Sequence, residues 1–251
     1  MAKKKGNQLR LCCNFRHLNT MKDAYPIPRI DESLAKLGQA RLFTTLDLGS
    51  AFWQVPLRKE DRHKTVFASQ MGLLQGKRMP FGLCNATATF QRLMANVLTS
   101  MTQSYENLVM CYVDNVIIAT ENVDQHLERL DEVLSAIEGA GLKCKPSKCS
   151  IMRASITYLG RVIDELGIRP DPETIEAVKD WWKPRNKEDM QSFLDFANCC
   201  REFIRCDSDT LHPMQLMIKK GNEYKLTPDA ECAFERMKTI LFSSPVLALP
   251  I

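Results

Sequence analysis

The sequence predicts a mixed α+β chain: a βαββαβ sheet-and-helix core followed by a helical subdomain. Three observations carry this. A β-rich alternating run ends on an aspartate at residue 47, a hairpin-like stretch "LVMCYVDNVIIAT" lies between two amphipathic helical segments, and the periodicity turns helical beyond residue 163.

The elements follow in chain order. "ARLFTTLDLGS" alternates and is rich in β-formers, so it reads as a strand ending at Asp47, broken by Gly49 and Ser50. Phe90, Leu93, Met94, Val97 and Met101 recur at helical spacing and predict a helix over 87–101. Next come two apolar strands folded around Asp114 and Asn115. Leu127, Leu130, Leu134 and Ile137 mark a second helix, stopped by Gly139 and Gly141. "SITYLGRVI" supplies the closing strand. Beyond it, Asp171 caps a helix with Pro172 in its first turn. "NKEDMQSFLDFANCCREFI" then carries Met190, Phe193, Ala197, Cys200 and Ile204 on one stripe, and a last helix opens with Thr227 and Pro228.

Composition bounds the function. At 251 residues, with 45% hydrophobic and 25% charged residues, the chain buries a real core. No run approaches the ~20 apolar residues that span a bilayer, and "MAKKKGNQLRL" lacks a signal peptide's apolar stretch. The ten cysteines are scattered and read as reduced thiols. Cys144 and Cys149 of "CKPSKC" have no second ligand pair at zinc spacing. His17, His63, His126 and His212 also lack ligand spacing and read as surface residues. The net charge of +4 is small, but basic residues cluster at 3–16, 58–64 and 143–153, which suits a phosphate-backbone partner.

Asp-Asn at a hairpin tip has two readings. Both residues favour tight turns for backbone geometry alone. In a split βαβ fold, however, the first and third strands are antiparallel neighbours, so Asp47 and Asp114 converge on one rim of the sheet. Two close carboxylates invite a shared proton or a divalent metal, and an exposed rim favours the metal.

Several stretches together resemble the reverse transcriptases of Ty3/gypsy-type retrotransposons: "YPIPRIDESLAKLGQARLFTTLDLGSAFWQV", "KRMPFGLCNATATFQRLM", "YVDN", "GLKCKPSKC", "YLGRVI", "GIRPDP" and "FLDFANCCREFI". The resemblance runs nearly end to end, with the motifs in the family's order. It implies a right-hand polymerase: fingers at 1–41 and 56–79, a ferredoxin-like palm at 42–55 and 80–164, a helical thumb at 165–222, and from 223 to 251 the start of a connection to an RNase H domain. The implied activity is RNA-directed DNA polymerase, a nucleotidyltransferase using deoxynucleoside triphosphates, a primed RNA or DNA template and two Mg²⁺ ions, with Mn²⁺ as a substitute. No membrane is implied. The chain is expected to be an intracellular, cytoplasmic segment of a polyprotein that also carries RNase H and integrase, with a virus-like particle as one expected setting.

The resemblance also implies roles. Asp47, Asp114 and Asn115, with the carbonyl of Leu48, match the metal ligands. Arg10 and Lys4 match positions that clasp the triphosphate. Phe52 matches the residue that rejects a 2′-hydroxyl, and Ala51 floors the 3′-hydroxyl pocket. Phe81 and Gly82 line the nascent pair, and Tyr112 belongs to the substrate-binding set. Lys148 matches a proton donor to the leaving pyrophosphate, while Tyr158, Leu159 and Gly160 match a hairpin that grips the primer. Trp181, Trp182 and Tyr224 are candidates to stack on bases, the tryptophans reading rather as core.

The sequence departs from the family pattern in one place that matters. Asn115 stands where the family usually has a second aspartate. At an effective dielectric near 20, one charge lost at about 4 Å is worth on the order of 4 kcal/mol, roughly a thousandfold in rate if expressed wholly in the transition state. An alternative is therefore a catalytically impaired polymerase fold serving as a nucleic-acid-binding or assembly module. Thr87 in place of proline, and Cys199 with Cys200 in place of tyrosines, are milder departures. Nucleotide cyclase chemistry on the same core is disfavoured by the helical subdomain after residue 163.

Overall fold

The structure, a computed structural model, describes residues 2–3, 9–29, 34, 37, 40–102, 109–199, 208–219 and 224–242. The chain divides into two compact units, Met1–Ala154 and Ser155–Leu249.

The first unit is built on a four-stranded antiparallel sheet. Short strands β1 (Ala2–Lys3) and β2 (Leu9–Arg10) pair as a ribbon. β3 (Leu42–Asp47) follows, then a ribbon of β4 (Phe67–Ser69) and β5 (Gly72–Leu74). Helix α1 (Ala86–Val97) and the one-turn α2 (Thr99–Thr102) precede β6 (Val109–Tyr112) and β7 (Asn115–Thr120). Helix α3 (Val123–Gly139) leads to β8 (Ser150–Arg153). The sheet order β6-β7-β3-β8 is that of a split βαβ fold, as the element order predicts. Leu46, Leu48, Val116 and Ile118 from the strands join Phe90 and Met94 of α1 and Val133 and Ile137 of α3 in one buried cluster. Phe43, Ile117 and Ala119, out of phase with these, are buried too, so the central strands are covered on both faces.

Four details differ from the sequence reading. The closing strand of the sheet is Ser150–Arg153, not "SITYLGRVI". The latter splits at Leu159 (φ 50°) and Gly160 (φ 76°), whose successive positive φ angles make the tight two-residue turn favoured in hairpins. The apolar hairpin turns at Val113 and Asp114, because Tyr112 pairs with Asn115, which opens β7. On α3 the buried stripe is His126, Val133 and Ile137; Leu127 and Leu134 are exposed, a rotation of about one position. His126 is thus a core residue, not a surface one.

The second unit opens with a three-stranded antiparallel sheet of β9 (Ser155–Tyr158), β10 (Arg161–Asp164) and β11 (Gly167–Pro170). Asp164 pairs with Arg169 across it. Among the described residues four helices follow: α4 (Pro172–Lys179), α5 (Lys187–Cys199), α6 (Ser208–Ile218) and α7 (Pro228–Phe242). Asp171 caps α4 by accepting from Glu173 N–H at 3.1 Å, and Thr227 accepts from Ala230 N–H at 3.3 Å. Met190, Phe193 and Ala197 are buried, with the Phe193 and Phe234 rings 4.5 Å apart. Cys200 and Ile204 lie outside the described residues. Trp181 packs on Phe193 and Phe196, but Trp182 is 66% exposed and is not core. Among the described residues, no helix is long and apolar enough to cross a membrane.

Candidate active site

Cross-strand register assembles the site. β3 and β7 are antiparallel neighbours with Asp47 opposite Asn115, and one residue further Leu48 N–H donates to the Asp114 backbone carbonyl at 2.9 Å. The two aspartates, 67 positions apart in sequence, therefore meet at one rim of the sheet, as the predicted topology requires. Asp47, Asp114 and Asn115 are half-buried there.

The hairpin tip is held in an unusual conformation. Val113 has φ 56°, left-handed territory that a β-branched residue adopts only where its surroundings over-determine it. Gln91 of α1, 4% exposed, does this: its Oε1 accepts from Val113 N–H at 2.7 Å and its Nε2 donates to the Cys111 carbonyl at 3.2 Å. Asn115 Nδ2 donates to Asp114 Oδ1 at 3.3 Å. An aspartate at 115 would offer no such donor and would place a like charge beside Asp114, so the amide reduces the local need for a counter-ion. Burial, reinforced by the Asp114 charge, pushes the neighbouring Cys111 thiol up to about 12.

A basic segment closes the other side. Lys145 N–H donates to the Asp47 carbonyl at 2.8 Å, and Lys148 Nζ lies 2.8 Å from Asp47 Oδ2. The Asp47 side chain is 15% exposed and that of Lys148 54%, so the ammonium reaches in from solvent. A cation thus already sits on this carboxylate. Two carboxylates, the Asn115 amide oxygen and the Leu48 carbonyl are hard oxygen donors of the kind that hold Mg²⁺. Among the described residues no three His, Cys, Asp or Glu side chains gather around one point.

The aromatic wall lies just past the Asp47 turn. Ser50 (φ 56°) swings the chain into a short helical turn at Ala51–Gln54, burying Ala51 and leaving Phe52 half-buried. The Phe52 ring packs 5.5 Å from Phe81 and 6.1 Å from Phe90, and Trp53 lies 6.2 Å from Phe81. Gly82 adopts φ 106°, and a Cβ there would stand 2.3 Å from the Cys13 carbonyl oxygen, so only glycine fits. Asn19 brackets this loop, donating to the Gly82 carbonyl at 2.8 Å and accepting from Cys84 N–H at 2.9 Å.

The structure thus brings Asp47, Leu48, Asp114, Asn115 and Lys148 together at the rim, with Tyr112 half-buried opposite Asn115. Ala51, Phe52, Phe81 and Gly82 form the adjoining wall. Arg10 lies in β2, but its side chain, like all of Lys4, falls outside the described residues. Tyr158, Leu159 and Gly160 form the β9–β10 turn of the second unit, with Tyr158 buried, Leu159 half-buried and Gly160 exposed.

Sequence reasoning missed Gln91, Gln54, Asn19 and the buried role of His126. For two of these a signal existed. Gln91 lies three residues after Ala88 and three before Met94 on the apolar stripe of α1, and His126 lies seven before Val133 and eleven before Ile137. A polar residue in phase with a core stripe marks a buried hydrogen-bonding site.

Comparison with known proteins agrees with this geometry. The sequence model of the family described as "Reverse transcriptase (RNA-dependent DNA polymerase)" matches residues 2–163. The retrovirus-related Pol polyprotein from transposon 297 of Drosophila melanogaster is 34% identical over 249 residues, covering 98% of this chain and 23% of that protein. The Tf2-7 transposon polyprotein of Schizosaccharomyces pombe is 33% identical over 246 residues, covering 97% of this chain and 18% of that protein. The chain thus spans about a fifth of the length of these relatives. A foamy viral protease-reverse transcriptase in complex with double-stranded DNA has the same fold, with a TM-score of 0.90, 24% identity, and coverage of 98% of this chain and 44% of that one. A second structure of the foamy viral protease-reverse transcriptase, in complex with an RNA/DNA hybrid, aligns with a TM-score of 0.84 at 24% identity, over 94% of this chain and 32% of that one. These findings bear out the polymerase fold and the resemblance to retrotransposon enzymes: the chain belongs to the reverse transcriptase (RNA-dependent DNA polymerase) family.

Proposed function

We propose that this chain extends a nucleic-acid primer along an RNA or DNA template, adding deoxynucleotides at the Asp47–Asp114 rim. The observation that carries this reading is the β3–β7 register, which sets Asp47 across from the Asp114–Asn115 turn in a chain of the reverse transcriptase family. Asp47, Asp114, Asn115 and the Leu48 carbonyl would hold Mg²⁺, with Mn²⁺ as a substitute. Such ions, when bound, would activate the attacking hydroxyl and neutralise charge on the triphosphate.

The chain's own residues do the rest. Lys148, already on Asp47 Oδ2, gives up that contact to pair with the triphosphate and delivers a proton to the departing pyrophosphate. Arg10 and Lys4 clasp the triphosphate. Phe52, braced between Phe81 and Phe90, excludes a 2′-hydroxyl, while Ala51 floors the sugar pocket. Phe81 and Gly82 line the nascent pair, Tyr112 belongs to the substrate-binding set, and the Tyr158–Gly160 turn grips the primer. The chain works as a segment of a longer intracellular polyprotein.

Extension of a labelled primer by the natural chain, Asn115→Asp and Asp47→Ala, each in Mg²⁺ and in Mn²⁺, tests this. The natural chain should extend, and Asp47→Ala should lose about a thousandfold or more. Extension by Asn115→Asp alone would favour the second reading, an idle fold that binds nucleic acid, for which Asn115 is the supporting observation. No product from either chain in either metal overturns the polymerase reading.

A further inference from the structure

We infer that Gln54 is a positioning residue for this site, holding the segment that carries Lys148 in register with the turn that follows Asp47; the inference rests on the polymerase reading above. Its side-chain amide is nearly saturated. Nε2 donates to the Gly49 carbonyl at 2.8 Å and to the Lys143 carbonyl at 2.9 Å, while Oε1 accepts from Lys143 N–H at 2.7 Å. One amide therefore reads both backbone groups of Lys143, as a neighbouring β-strand would. The Gln54 backbone is itself fixed, its carbonyl accepting from Arg78 Nη1 at 2.6 Å.

Everything the basic segment brings to Asp47 lies just downstream of that anchor. Lys145 N–H reaches the Asp47 carbonyl two residues on, Lys148 N–H closes a turn on the Lys145 carbonyl at 2.9 Å, and Lys148 Nζ then meets Asp47 Oδ2. The two segments approach so closely that a Cβ on Gly49 would stand 3.0 Å from Lys145 Cβ. Within 141–148 only Leu142 is buried, and Cys144 is half-buried, so apolar packing does little to hold the remainder. The Gln54 amide supplies the restraint that packing does not.

The test compares the natural chain with Gln54→Met, which keeps the unbranched stem but removes donor and acceptor. Gln54→Glu keeps an acceptor for Lys143 N–H but loses both donations. Each is also placed in a Lys148→Ala background. Two quantities are read: kcat for single-nucleotide extension, and hydrogen exchange of the Lys143 and Lys145 amides. We expect both Gln54 variants to lower kcat about tenfold, a size set by the net worth of one or two hydrogen bonds. Exchange at Lys143 and Lys145 should accelerate while the β7 amides keep their protection. In the Lys148→Ala background the Gln54 substitutions should add less than about twofold, because the group they act through is gone. Losses that multiply in the double variants, or unchanged exchange at 143 and 145, overturn the inference. A natural chain that extends no primer defeats the polymerase reading instead, and the exchange measurement then decides the Gln54 contact by itself.

Discussion

The two flanks of Asp47 are held by different physics. On one side the Asp114 turn stands on β7, where Val116, Ile117 and Ile118 are fully buried, and is bracketed by the buried Gln91 amide. On the other side Lys143, Lys145, Pro146, Ser147 and Lys148 are all exposed, and hydrogen bonds to Gln54 and Asp47 hold the segment. Burying one Ile or Val side chain contributes roughly 1.5–3 kcal/mol, whereas a hydrogen bond contributes about 0.5–1.5 kcal/mol net. The carboxylate wall is therefore rigid and the lysine wall adjustable. That division suits the proposed function, in which Asp114 stays placed and Lys148 exchanges one anionic partner for another.

Substitutions can break or sharpen this contrast. The largest effect is expected at Gly82 in the adjoining aromatic wall, where Gly82→Ala forces a Cβ against the Cys13 carbonyl and should cost about 3 kcal/mol in urea unfolding. A loss below about 0.5 kcal/mol would show that the loop yields freely and is not a rigid wall. Next is Gln91→Ala, which leaves Val113 N–H and the Cys111 carbonyl without their partner in a buried setting and should cost about 2 kcal/mol. Extension should fall with it as Val113 relaxes from its left-handed conformation. Unchanged stability and unchanged activity together would refute the bracket.

A smaller effect should appear with pH. His126 is fully buried, its Nε2 2.6 Å from Thr44 Oγ1 and its Nδ1 2.7 Å from Thr120 Oγ1. Thr44 accepts from Met152 N–H and Thr120 donates to the Asn122 carbonyl, so the chain is satisfied by a neutral imidazole protonated on Nδ1. Burial holds its pKa below the ordinary value. The unfolded chain then binds the proton first as pH falls. Stability is full above about pH 7 and is lost on acidification through the ordinary histidine value near 6.5 and on to the lowered folded value. Urea midpoints at pH 7.5 and 5.5 should differ less in His126→Gln than in the natural chain. Equal differences would place the acid sensitivity elsewhere.

The smallest stability change belongs to the solvated flank. Lys148→Ala should alter folding by no more than about 0.5 kcal/mol, since an exposed ion pair contributes little, while extension falls markedly. A large stability loss would mean that the segment is structural.

Much of the site is legible in the sequence. "TTLDLGSAFWQV" shows a strand stopping on Asp47 and "MCYVDNVIIA" a hairpin with Asp114 near its tip, and the order of strands and helices implies which strands pair. The turn centre was misread by one residue because Asn and Asp usually occupy turns, whereas here the strain falls on Val113 and is held by a glutamine on another element. "SITYLGRVI" was read as one strand because its apolar residues mask the turn at Leu159–Gly160. The face of α3 was misread because leucine is weighted as core and histidine as surface, although two threonine hydroxyls make His126 a satisfied core residue.

By itself the sequence determined the alternation of strands and helices and the placement of Asp47 and Asp114 beside strand ends, because these depend on local periodicity and residue chemistry; that Asn115 stands where a second carboxylate is usual follows from the family resemblance. Only the tertiary structure decided that Gln91 and Gln54 hold the two flanks of Asp47, and that Lys148 rests on its carboxylate. Those contacts join residues 22 to 101 positions apart, and hydrogen-bond partners at such separations are chosen by how the backbone packs, which no local pattern encodes.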